Sequence, residues 1–253
     1  LGTLVSEGWS SGSSYEWTYS VNASDEELPM VFISVSGGQD MYGNPQVPQD
    51  SEPFFGVDTH PATLVSATSN ASFFNDALAG SGVLSFTITF DDEMDASEIP
   101  SIEFSDNTIT NNSLVFNAGA SAWVSDFVYN AVYDVMDVEE EYDNINITVV
   151  EGLDTGGNPM NAASESVINL LVDTKNPLIN DAVPSVAVVT NAVEGPDGFS
   201  IEIQFDEPMG PFTMPVVTFP SDDLSGALVQ SLSGFWQDAS TYIATFDVNP
   251  IAI

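Results

Sequence analysis

Residues 122–135 read AWVSDFVYNAVYDV, and the same frame occurs twice more, as GWSSGSSYEWTYSV at 8–21 and FWQDASTYIATFDV at 235–248. Trp9, Trp123 and Trp236 stand 114 and 113 residues apart, and Tyr15, Tyr129 and Tyr242 each follow their tryptophan by six. A frame kept at a fixed long period marks a tandem repeat, one unit copied along the chain. The flanking sequence repeats with it. Asp40-x-x-Gly43-Asn44-Pro45 lies 31 residues after Trp9, and Asp154 with Asn158-Pro159-Met160 lies 31 residues after Trp123. VDTHP at 57–61 matches VDTKNP at 172–177, and FDDEM at 90–94 matches FDEPM at 205–209. All matches are colinear.

The period of about 114 residues divides the chain unevenly. Residues 62–177 form one complete repeat, 1–61 the C-terminal half of a preceding one, and 178–253 the N-terminal half of a following one. A half sandwich cannot bury both faces of its sheets, so neither end is expected to be stable alone. Two readings follow: a window on a longer repeat protein, or ends completed by strands from neighbouring subunits. Segments 4–20 and 231–247 are equivalent, so a closing polymer lacks a whole number of periods, and this favours the window. The missing initial Met is expected of a processed or partial chain, and the first residues have neither the basic nor the apolar region of a signal peptide.

Within 62–177 apolar and polar residues alternate with period two at 83–90, 127–135 and 145–149. Residues 167–172 are an apolar run, and 62–66, 102–104 and 113–116 are weaker strands. Residues 118–122 read as a turn, and no stretch has a helical period. Seven short strands in one repeat predict an all-β chain of tandem immunoglobulin-like Greek-key β-sandwiches. The recurrent tryptophan then belongs in the core between sheets.

The FDEPM turn, the aromatic strand containing TYIATF, the DTGGNPM loop and the VDTKNP linker resemble the bacterial Ig-like (Big) repeats of surface-layer proteins and giant repetitive adhesins. The resemblance spans essentially the whole chain. Its departures are Glu93 where the family has Pro, and a further glycine in the loop from Asp154 to Asn158. It implies the sandwich fold and a place outside the cell or on its surface. It says little about function, because such repeats serve as spacers in many surface proteins.

The composition fits that setting. The 253 residues hold 38 Asp plus Glu against one Lys and no Arg, a net charge of −37, yet 43% are hydrophobic. One cation cannot neutralise phosphates, which excludes nucleic acid and docking on an anionic membrane. The apolar content excludes the usual disordered class. No apolar run is long enough to span a membrane. Without Cys there is no disulfide or thiolate site, and with His60 as the only His, zinc is a poor fit.

In the sandwich topology the incoming linker, the loop after the second strand and the loop before the last strand share one end. That places Asp58, Asp91, Asp92, Glu93, Asp154 and Asn158 together at a junction between repeats. At the opposite end the acidic run 137–143 and the outgoing Asp173 face Asp206 and Glu207 of the next repeat. Clustered carboxylates without Lys or Arg repel one another and call for a cation. Calcium suits them best, because it takes six to eight oxygens from flexible loops. A glycosidase carboxylate pair and a Ser-His-Asp triad using His60 have little to carry them, and a non-enzyme is expected. Sequons stand at Asn22, Asn70, Asn111 and Asn146.

The expected function is an extracellular structural repeat protein of a stalk, fibre or filament, with calcium-stiffened junctions. Its partners would be copies of itself or neighbouring repeats. The alternatives are an adhesin module for a surface glycan or protein ligand, and an accessory region of a secreted enzyme.

Overall fold

The alternating segments become strands in the computed structural model, which describes residues 2–50, 55–160, 163–220, 224 and 226–250. The chain is all-β and forms two units, residues 1–175 and 176–253.

The first unit opens with β1 (Gly2–Trp9), β2 (Tyr15–Val21), β3 (Glu27–Val31), β4 (Ser34–Val35), β5 (Gln49–Asp50) and β6 (Phe55–Asp58). Among the described residues these pair only two by two: β1 with β2, β3 with β6 and β4 with β5. Next come β7 (Leu64–Ser69), β8 (Phe73–Asn75), a 3-10 turn at Asp76–Leu78, β9 (Gly80–Phe90), β10 (Ser101–Phe104), a one-turn helix at Ile109–Asn112 and β11 (Leu114–Phe116). The unit closes with β12 (Ala122–Ser125), β13 (Val128–Val135), β14 (Glu141–Val150) and β15 (Ala163–Asp173).

These later strands build two sheets. One runs β11-β13-β9-β7 with β12 also on β13, and the other runs β10-β14-β15-β8. Their inner faces meet in one core: Leu84, Phe86 and Ile88 of β9, Tyr129 and Tyr133 of β13, and Ile147 and Val149 of β14 are all buried in it. Tyr133 lies edge-on to both Phe86 and Phe104, at ring-centroid distances of 5.8 and 5.4 Å. That offset geometry adds to what burial alone contributes.

Three details depart from expectation. β8 pairs parallel with β15, and its three residues are too few for alternation to show. The one-turn helix is likewise too short to show a 3.6-residue period. In the acidic run 137–143, expected as a loop, Glu141 already belongs to β14, where it and Tyr142 pair with Asp173 and Val172. Residues 2–58 and 62–175 lie in one unit.

The second unit contains β16 (Ile179–Pro184), a 3-10 turn at Asn191–Val193, β17 (Gly195–Phe205), β18 (Leu228–Gln230), β19 (Phe235–Trp236) and β20 (Thr241–Val248). Its sheet runs β16-β17-β20-β18 with β19 also on β20, the order of β7-β9-β13-β11 with β12. The register matches too: Phe86 faces Ala131, and Ile201 faces Ala244. Phe199, Ile203, Tyr242 and Phe246 form its core.

The three tryptophans keep the same aromatic neighbour. Trp9, Trp123 and Trp236 lie 5.3, 5.1 and 5.1 Å from Tyr15, Tyr129 and Tyr242. Trp123 and Trp236 pack against the cores, and their indole N–H groups donate to the Glu98 and Thr213 carbonyls. Trp9 is exposed, because nothing among the described residues covers that face of its hairpin.

Candidate metal centre

Three carboxylates from distant parts of the sequence meet in the first unit. Asp58 ends β6, Asp92 follows β9, and Asp154 lies in the loop after β14. They offer oxygens that all lie within 4.8 Å of one another. Asp154 is only 1% exposed. Its loop is held by its own side chain: the Asn158 backbone N–H donates to Oδ1 at 2.8 Å and the Asn158 amide donates to Oδ2 at 3.0 Å. The Thr155 N–H donates to the Glu93 carbonyl at 2.9 Å, which ties this loop to the turn after β9.

Two glycines allow the approach. Gly157 has φ +83°, the left-handed region that only glycine enters freely, and so does its repeat equivalent Gly43 at +85°. A Cβ on Gly156 would lie 2.2 Å from Asp58 Oδ2, so a larger residue fits there only if that carboxylate shifts. The further glycine at this position therefore has a steric role.

Asp92 completes the group. Its Oδ1 accepts the Glu93 N–H at 2.7 Å, while its Oδ2 is buried with no hydrogen-bond partner. A buried charged oxygen left unpaired is costly, and a cation is one remedy. Calcium lies about 2.3–2.6 Å from its oxygens, so two ligands of one ion stand at most about 5.2 Å apart. The observed spread fits that limit.

The other expected ligands are placed differently. Asp91 accepts the Thr63 N–H and hydroxyl, both at 2.6 Å, and so fastens the start of β7 to the end of β9. Desolvation pushes its carboxyl up, but these hydrogen bonds outweigh it and hold the group below the usual carboxylate range. Asp206 does the same work in the second unit, accepting the Leu178 N–H at 2.7 Å. The Glu93 carboxylate is exposed and outside the cluster; only its backbone carbonyl takes part. Asn158 acts as a donor, its amide reaching the Asp58 and His60 carbonyls at 3.5 and 3.4 Å and so tethering the linker. Asp173 ends β15 as Asp58 ends β6, and accepts the Lys175 N–H as Asp58 accepts that of His60. Glu207 occupies the Asp92 position of the second unit.

Sequence reading missed the partner of His60. Its Nδ1 lies 2.6 Å from Asp25 Oδ1, and that hydrogen bond raises the imidazole pKa. Asp25 is the repeat equivalent of Glu139, and both have φ 58°, but one acid in an acidic turn carries no sequence signal that singles it out for His60. Among the described residues no helix is long and apolar enough to cross a membrane. The chain matches no family model, no curated protein and no solved structure.

Proposed function

We propose that this chain is a non-catalytic structural protein of the cell exterior, built from tandem immunoglobulin-like repeats related to the bacterial Ig-like class and belonging to a stalk, fibre or filament. Calcium binds where one repeat passes into the next, and its role is mechanical. The linker after β6, the turn after β9 and the loop after β14 come from distant parts of the sequence. An ion shared by Asp58, Asp92 and Asp154 joins them and removes the mutual repulsion of three carboxylates. The observation that carries this reading is the convergence of those acids around a buried, unpartnered Asp92 oxygen.

The test is thermal unfolding and titration calorimetry with calcium and with chelator. Calcium at a hundred times its Kd should stabilise the fold by about 2.7 kcal/mol. Asp92→Asn should abolish most of the shift, and magnesium should give less. An unchanged melting temperature at millimolar calcium would sink the proposal.

An adhesin module is a second reading, favoured by Trp9 and Trp17, which are 66% and 47% exposed. Binding of the chain on a glycan array, lost in Trp17→Ala, would support it.

A further inference from the structure

A groove of about 750 Å³ opens in residues 17–57, lined by Trp17, Tyr19 and Val21 of β2, Val31 of β3, and Ile33 and Val57 beside them. Through the repeat these correspond to Ala131, Tyr133, Val135, Ile145, Ile147 and Val172. Every one of those equivalents is buried in the core of 62–175. The two strand pairs even share a register: Glu27, Leu28 and Val31 face Asp58, Val57 and Phe55, as Glu141, Tyr142 and Ile145 face Asp173, Val172 and Leu170. The groove is therefore the same core seen open, and the covered copy shows what closes it. There β9 pairs along β13 and inserts Leu84, Phe86 and Ile88. Among the described residues β2, the equivalent of β13, pairs with β1 alone.

We infer that this groove takes a β9-type strand from the first half of another repeat, hydrogen-bonded along β2, and that Trp17 selects a strand with a small residue at the position of Phe86. The inference rests on the tandem-repeat reading above. The selection follows from cross-strand pairing, since directly opposed residues share one face and one packing volume. Opposite Phe86 stands Ala131, and opposite Ile201 stands Ala244. In both, a large residue on the incoming strand meets alanine. Trp17 reverses the arrangement, so a large residue opposite it would overfill the core.

The same argument excludes a second copy of this chain as the occupant. Its β9 and β17 carry Phe86 and Ile201 at the selecting position, and both strands are already bonded on each edge. Its β20 would also duplicate β2.

The experiment adds a peptide of residues 62–92, the β7–β9 hairpin, to the intact chain, either with Phe86 or with Phe86→Ala. Binding is read by calorimetry and by acrylamide quenching of tryptophan. Phe86→Ala peptide should bind one to one, at least tenfold tighter than the parent, and protect Trp17. Trp17→Ala in the chain should reverse the preference. Hydrogen exchange on the same samples reads β9 and β13: if they are unprotected, the repeat reading itself fails. If they are protected and neither peptide binds, or the preference does not reverse, the groove assignment alone is overturned. Self-association of the chain that buries Trp17 without peptide would overturn it in favour of a second copy.

Discussion

Residues 141–173 and 27–58 are two copies of one strand pair with opposite surroundings. Both keep the same register and the same irregularity between the second and third pairings. Yet Ile147 is 1% exposed and its equivalent Ile33 is 37% exposed. Local pairing is thus specified by the strands themselves, whereas burial depends on a second layer. A strand pair without that layer keeps its hydrogen bonds and forgoes the apolar term that dominates stability.

The largest expected contrast comes from equivalent tyrosines. Tyr133→Ala removes a ring packed on Phe86 and Phe104 and should cost about 3–5 kcal/mol in urea unfolding. Tyr19→Ala, where the side chain is 60% exposed, should stay within about 0.5 kcal/mol. With the Phe86→Ala peptide bound, Tyr19→Ala should become clearly destabilising. Equal costs without peptide would break the comparison.

The Asp–Asn loops give a smaller contrast. Asp154→Ala leaves the Asn158 N–H and amide without their acceptor in a buried site, at a cost of about 1–3 kcal/mol in chelator. Asp40 makes the same bonds to Asn44, at 2.8 and 2.7 Å, but in the open, so water replaces it and the loss in Asp40→Ala should be smaller.

The smallest effect is in acid. Hydrogen bonds from Asn117, Ser81 and Gly82 hold the Asp134 carboxyl below the usual range. A lowered folded pKa contributes stability above the unfolded value of about 3.9, lost as pH falls through the lowered folded value. Asp134→Asn should therefore flatten the decline of melting temperature below about pH 4. Ser20, at the equivalent position, has no such titration, so Ser20→Ala should leave the acid limb unchanged.

Much of this was legible in sequence because it is local or periodic. Alternation at 83–90 and 127–135 anticipated β9 and β13, and the expected sandwich topology put Asp58, Asp91, Asp92, Glu93, Asp154 and Asn158 at one end, of which Asp58, Asp92 and Asp154 lie together. The one-turn helix and β8 were not legible, because three or four residues carry no period. Nor could the sequence separate Asp91 from Asp92. Adjacent residues of one motif point to opposite sides of the chain, and only the fold decides that one caps β7 while the other faces Asp154.

The sequence by itself determined the recurring motif frame, the positions of long alternating strands such as β9 and β13, and the acidity, since covalent order and side-chain periodicity suffice for these. Tertiary structure alone decided which carboxylates form a cluster and that Gly156 lies against the Asp58 carboxylate. Those properties depend on distances between residues far apart in the chain, and such distances exist only once the sheets have packed.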